Sequence, residues 1–148
     1  MDSLIRNPSF HHIELPCKDL ELAEQFYSRV FGARVYMRRD AARRSPVPST
    51  GTIRTVEESG FEIDGTYLII GEQLRIGFLK QPAEHRRREV DHLAFAVDED
   101  VESLSQRLAN GEVEVLERRE NHVLIRDPFG MVLELWPRSV LQGMGLIS

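Results

Sequence analysis

The chain states one pattern nearly twice, and that repeat constrains its fold more than any other feature. Residues 10–37 read FHHIELPCKDLELAEQFYSRVFGARVYM and residues 90–116 read VDHLAFAVDEDVESLSQRLANGEVEVL. Each opens on a short apolar stretch carrying a histidine, passes an acidic turn and a helix-like stretch to a glycine, and ends in a strand-like run. His12 and His92 stand eighty positions apart, and Gly32 and Gly111 seventy-nine. Two landmarks that keep almost one offset point to a duplicated unit.

Hydrophobic periodicity fills in each copy. Residues 10–15 alternate as a strand, with Phe10, His12 and Glu14 on one face and His11, Ile13 and Leu15 on the other. Asp19 is placed to cap a helix whose stripe is Leu20, Ala23, Tyr27, Val30 and Phe31, and Gly32 stops it. A strand follows over 35–38, and two more over 66–71 and 74–80 flank the turn Gly71-Glu72-Gln73. In the second copy a strand covers 90–97. Val101, Leu104 and Leu108 mark a helix that ends at Asn110-Gly111. Strands follow at 113–118, 122–126 and 132–136, the last two joined by the turn Asp127-Pro128-Phe129-Gly130. Each copy is β-α-β-β-β. The modules span 8–81 and 89–137, with a hinge at 81–89 marked by Pro82 and a charge cluster, and a tail over 138–148. Residues 40–60 break the pattern as an excursion rich in proline and serine, with one short strand expected at Thr52–Val56; such a loop is either a lid or disordered.

Composition narrows the setting. The 148 residues suit one soluble domain or two small units sharing a core, with no room for a separate cofactor domain. A formal charge of -5 argues against nucleic acid as a partner, and no apolar run approaches a membrane span. The single cysteine, Cys17, rules out an internal disulfide and a Cys-rich metal site. With no apolar signal core in MDSLIRNPSF, these features suggest a reducing, cytoplasmic location.

Chemistry concentrates in His12, His92 and Glu134, each inside an expected strand. Two imidazoles and a carboxylate suit Zn, Mn, Fe or Ni and leave coordination positions open for substrate. Taken singly, a strand histidine is more often a hydrogen-bonded core or surface residue, and Glu134 in VLELW reads as the exposed member of an alternating strand. The repeat sets the three apart, because it puts both histidines at equivalent places.

His12-Ile13-Glu14-Leu15, Lys18-Asp19-Leu20, Phe26-Tyr27 and Phe31-Gly32 carry a family resemblance. So do Asp91-His92-Leu93-Ala94-Phe95, Asp127-Pro128-Phe129-Gly130 and Leu133-Glu134-Leu135 in the second copy. Over roughly 8–137, outside the excursion, the chain resembles the vicinal oxygen chelate superfamily, which includes glyoxalase I, fosfomycin- and bleomycin-resistance proteins and extradiol dioxygenases. The resemblance implies an α+β fold of two βαβββ modules forming a curved mixed sheet around a cavity. It implies one divalent metal ion per site (Fe, Mn, Zn or Ni), with His12, His92 and Glu134 as ligands. It also implies pairing as a homodimer, with His12 from one chain joining His92 and Glu134 from the other. His11 has the opposite strand parity and is set aside. The fourth ligand of glyoxalase-like members would fall on Gly77, which offers none. That departure disfavours a four-ligand glyoxalase site. The segment LERRENHV lacks the Ser/Gly-rich loop of the thiol-transferring fosfomycin group. His122 is present without the tyrosine that, in the ring-cleaving group, accompanies a histidine near the metal that is not itself a ligand.

Parity nominates further residues. Glu14 lies two positions from His12 and is a candidate general base, its pKa raised if the pocket is dry. Arg75, sharing parity with Gly77, is a candidate for an anionic substrate oxygen. Trp136, sharing parity with Glu134, is an aromatic wall or a core residue, and Tyr67 is a weaker candidate of that kind. Arg38, Arg39, Arg43 and Arg44 read chiefly as a solvated charged loop, Arg86-Arg87-Arg88 as surface, and Cys17 as no nucleophile. The tail either docks on a partner subunit or frays. Two functions remain open: a metal-dependent enzyme, dioxygenase-like or lyase/transferase-like, acting on a small molecule chelated through two oxygens, and a metal-free small-molecule or drug-binding protein of the bleomycin-resistance kind.

Overall fold

The structure is a computed structural model and describes residues 11–43, 45–47, 49–81 and 92–144. The expected hinge, the triple arginine at 86–88, Arg44 and the first two residues of the 90–97 strand lie outside the described residues. Two compact units divide the chain, Met1–His85 and Arg86–Ser148.

The first unit runs β1 (Ile13–Cys17), α1 (Leu20–Phe31), β2 (Arg34–Asp40), β3 (Ser45–Val47), α2 (Ile53–Glu58), β4 (Ile63–Ile70) and β5 (Leu74–Lys80). Its sheet has the order β1-β5-β4-β2-β3, with β1 parallel to β5 and the other pairs antiparallel. The second unit runs β6 (His92–Val97), α3 (Val101–Asn110), β7 (Glu114–Arg118), β8 (Val123–Arg126), β9 (Val132–Pro137) and α4 (Arg138–Gly143). Its sheet has the order β6-β9-β8-β7, again with the first and last strands parallel. Without β3 and α2, the first unit has the same order as the second: both are βαβββ modules with a mixed sheet, and the fold is α+β.

Local signals behave as their chemistry dictates. The Asp19 carboxylate accepts the Leu22 N–H at 3.0 Å, and Gly32 closes α1 in the left-handed conformation at φ 65°. Asp100 caps α3 through the Ser103 N–H at 2.7 Å. Gly111 ends α3 at φ -99°, and the left-handed residue is its neighbour Glu112 at φ 54°. Asp127 ties the turn before β9, its Oδ1 accepting the N–H groups of Phe129 and Met131.

The long helices α1 and α3 each cover one face of their own sheet. In the first unit Leu15, Cys17, Tyr27, Leu68, Ile76 and Phe78 are buried, and the Tyr27 and Phe78 rings meet at 4.9 Å. In the second, Leu104 and Leu108 of α3 join Phe95, Val123, Ile125, Leu133 and Leu135.

Several sequence expectations are corrected. The segment read as a strand at Thr52–Val56 is α2, because its apolar residues, Ile53 and Val56, recur at helical spacing, and Thr52 and Thr55 form a reciprocal cap. Arg38 is no solvated loop residue: it is 1% exposed. Its guanidinium grips both Glu24 oxygens at 2.8 and 2.7 Å, and Thr66 Oγ1 donates to the same carboxylate at 2.6 Å. Arg38 also donates to the carbonyls of Thr50 and Gly51, so one buried cation fastens the excursion to α1. Arg39 pairs with Asp64, and Arg43 with Asp40. The tail turns into α4 at Arg138. No helix among the described residues is long and apolar enough to cross a membrane.

Candidate active site

In the first unit the candidate chemistry lies on the sheet face opposite α1. Strand alternation sends Leu15 and Cys17 into the core and leaves Glu14 on the other side. The ladder then aligns Glu14, Gly77 and Tyr67 in one row across β1, β5 and β4. Tyr67 Oη donates to Glu14 Oε1 at 2.9 Å. Position 77 admits no side chain, because a Cβ there would lie 2.7 Å from Tyr67 Cε1 and 3.1 Å from Glu14 Cγ. The tyrosine ring thus fills the space above the glycine, and the glycine lets the phenol reach the carboxylate. Burial, then the Glu14 carboxylate, pushes the Tyr67 phenol up to about 12, so at neutral pH it keeps the proton it donates to Glu14.

His12 precedes β1. Its Nε2 stands 3.6 Å from Glu14 Oε1, and its ring meets Tyr67 edge-on with centroids 6.3 Å apart. His11, set aside on parity, lies beside it, the two Nδ1 atoms 2.8 Å apart. Both rings lie ahead of the strand, which begins at Ile13, so alternation does not separate them. The Glu14 side chain is 38% exposed, and the first unit does not supply the dry surroundings considered for a general base. The Arg75 guanidinium lies 6.0 Å from the Tyr36 ring, which in turn lies 6.3 Å from Tyr67. Tyr36 was not a sequence candidate. It occupies a register shift between Val35 and Met37, and a bulge of this kind re-aims a side chain in a way no local pattern announces.

In the second unit the corresponding face carries His92, Glu134, Trp136 and His122. Glu134 is aligned with Ala94 of β6 and Leu124 of β8. His92 Nε2 is 3.0 Å from Glu134 Oε1, and His122 Nε2 is 3.5 Å from Glu134 Oε2. The His122 ring is stacked on Trp136, centroids 4.0 Å apart and planes within 10°. Trp136 is thus committed on one side to an imidazole. Sequence reasoning noticed His122 without nominating it. The signal was the tight turn at 127–130: carried one step beyond β8, its register sets residue 122 opposite Trp136.

The ladders relate the two units. Glu14 faces Gly77 in the first, and Ala94 faces Glu134 in the second. Each parallel strand pair carries one carboxylate, on the first strand in one unit and on the last in the other. Position 77 is the counterpart of Glu134. Among the described residues no three His, Cys, Asp or Glu side chains are gathered to hold a metal ion. Of the predicted ligands, His12 belongs to the first unit, while His92 and Glu134 sit together in the second. Their donor set, imidazole nitrogen and carboxylate oxygen, fits a borderline divalent ion. A cavity of about 570 Å³ in the second unit, bordered by Asp100, Arg118 and Pro137 among others, touches none of these residues.

Comparison with known proteins identifies the fold and the family. The Glyoxalase/Bleomycin resistance protein/Dioxygenase superfamily model matches residues 9–135. The fosfomycin resistance protein FosX from Listeria monocytogenes, solved with Mn(II) and sulfate, is 20% identical, covering 90% of this chain and 93% of its own, with a TM-score of 0.60. Leishmania major glyoxalase I is 17% identical, covering 94% and 93%, with a TM-score of 0.65. TioX from Micromonospora sp. ML1 is 18% identical, covering 87% and 98%, with a TM-score of 0.57. No curated protein matches the chain significantly. At these identities the solved structures speak for the fold, whereas the family model spans most of the sequence, both repeated modules included: the chain belongs to the glyoxalase/bleomycin resistance protein/dioxygenase superfamily.

Proposed function

We propose that the chain is a divalent-metal-dependent enzyme acting on a small molecule that offers two neighbouring oxygens, with His12, His92 and Glu134 as the metal's ligands. The observation that carries this reading is the pairing of a histidine with a carboxylate on the corresponding sheet face of each unit, His12 with Glu14 and His92 with Glu134. When bound, the ion supplies Lewis-acid polarisation of the substrate oxygens.

The remaining chemistry belongs to the chain's own groups. Tyr67 holds Glu14 by Oε1, and no hydrogen bond among the described residues engages Oε2. Oε2 is therefore the atom that takes a proton from the substrate and returns it. Arg75, braced on Tyr36, receives an anionic substrate oxygen, and the free face of Trp136 packs against the apolar part of the ligand. The reading includes a homodimer acting in the cytoplasm; a monomer in sedimentation at micromolar concentration removes the first of these.

Metal analysis of protein purified without chelator tests the reading. Close to one equivalent of Mn, Fe, Zn or Ni is expected, lost in His12→Ala and retained in His11→Ala. Less than about a tenth of an equivalent, with failure to reload, sinks the enzyme and leaves the metal-free binding protein. Fe(II)-dependent oxygen uptake with catechol-type substrates would mark a dioxygenase. Turnover with Mn(II) or Zn(II) and no oxygen uptake would mark a lyase or transferase.

A further inference from the structure

His122 is 5% exposed, and its Nε2, buried from solvent, has no hydrogen bond. Leaving a buried ring nitrogen without a partner is unfavourable. A protein that keeps one has fixed the ring for another purpose, or holds it ready for a partner that shifts slightly. The ring is fixed on its other sides: Nδ1 pairs with Asn121 at 2.7 Å, and one ring face lies flat on Trp136 at 4.0 Å. The remaining polar atom, Nε2, is 3.5 Å from Glu134 Oε2. That separation suits an ion pair but is too long or too poorly aligned for a hydrogen bond. The opposite oxygen, Oε1, is 3.0 Å from His92 Nε2. The carboxylate is drawn toward His92, and a small rotation toward His122 would complete the missing bond.

We infer that His122 is a positioning residue that orients the Glu134 carboxylate for cation binding. The inference rests on the functional reading above, in which Glu134 and His92 are ligands. If His92 and Glu134 held a cation, their direct contact would be lost, and the carboxylate could turn so that Oε2 accepts a hydrogen bond from His122 Nε2–H, which would fix the plane of the carboxylate. A half-turn of the Asn121 amide exchanges its oxygen and nitrogen, so the contact at Nδ1 accommodates the tautomer that carries its hydrogen on Nε2. Trp136 keeps the ring from swinging away. Outer partners of this kind are typically worth a factor of about 10–100 in metal affinity.

The test measures Mn(II) affinity of the full chain by calorimetry and by the electron paramagnetic resonance signal of free Mn(II). Circular dichroism confirms the fold. His122→Phe keeps the ring stack and removes the donor; His122→Gln returns an amide donor near the Nε2 position. Mn(II) binding about 10- to 100-fold weaker in His122→Phe, largely regained in His122→Gln, is the expected result. Equal affinity in wild type and His122→Phe overturns the inference, and so does an equal loss in both variants, which marks a merely structural role. If His122→Phe does not fold, Asn121→Ala takes its place, since it frees the ring at Nδ1: weaker binding supports the inference and unchanged binding overturns it. Absence of Mn(II) binding by the wild type instead overturns the functional reading, so the two failures are distinguishable.

Discussion

Gly77→Ala tests how tightly Tyr67 and Glu14 are fitted together. The added methyl would meet Tyr67 Cε1 at 2.7 Å and Cδ1 at 2.9 Å, distances that real Cβ atoms essentially never show. The obstacle is no flexible tip: Tyr67 is 5% exposed, and its hydroxyl is tied to Glu14. The ring must move, and overpacking of a filled site costs about 1–3 kcal/mol. Replacing glycine by alanine in a strand returns about 0.5–1 kcal/mol of backbone entropy. A net loss of about 1–2 kcal/mol is expected, or a fall in Tm of roughly 2–8 °C for a chain of this size. Urea denaturation of Gly77→Ala, Tyr67→Ala and the double variant gives the coupling directly. With the ring removed, the alanine should cost nothing or stabilise slightly, because the other close atom, Glu14 Cγ at 3.1 Å, sits on a half-exposed side chain that yields. An alanine that is neutral in the wild-type background, or equally costly in both, refutes the claim that the ring occupies the place of a side chain at 77.

Two further outcomes follow from the packing of the first unit. Arg38→Met should cost about 3–5 kcal/mol in urea denaturation, because it leaves the Glu24 carboxylate buried without its cation; adding Glu24→Gln should recover much of the loss. A loss under 1 kcal/mol would show that water reaches Glu24. Asp40 accepts the N–H groups of Arg43 and Glu62, which hold its carboxyl below the ordinary aspartate value. A depressed folded-state pKa stabilises above the unfolded value, near about 4, and that stabilisation is lost as pH falls through the folded value. Denaturation midpoints measured from pH 7 down to pH 3 should fall less steeply in Asp40→Asn than in wild type; parallel acid limbs would show that Asp40 does not contribute.

Much of the architecture was legible because local chemistry carries it. Asp19 and Gly32 bracket α1, the turn at 71–73 marks β4 and β5, and the repeat foretold the shared βαβββ order of elements. The excursion was misread at 52–56, where a two-residue apolar spacing had to be told from a three-residue one over a very short stretch. Arg38 was misread because a run of charges is normally solvated, and its carboxylate partner lies fourteen residues upstream on α1. In the site, the repeat set His12 and His92 at equivalent places, while Glu134 was joined to them only by the family resemblance. The role of Gly77 could be read as a missing ligand but not as a seat for Tyr67, since that depends on which residue of β4 lies alongside it. Tyr36 was invisible because a bulge breaks the alternation from which faces are read.

The guanidinium of Arg38 has a consequence for the insertion between β2 and β4. Segments added to a sheet's edge commonly exchange their amide hydrogens by opening alone, at little free-energy cost. Here the carbonyls of Thr50 and Gly51 are bound by the same cation that neutralises Glu24. Peeling the insertion away strips that buried cation of two acceptors, so the segment should open together with α1 and the central strands. Slow amide exchange at Ile53 and Val56, close to that of β4, is the expected sign of a segment that stays with the unit; exchange by separate opening would mark a moving cover.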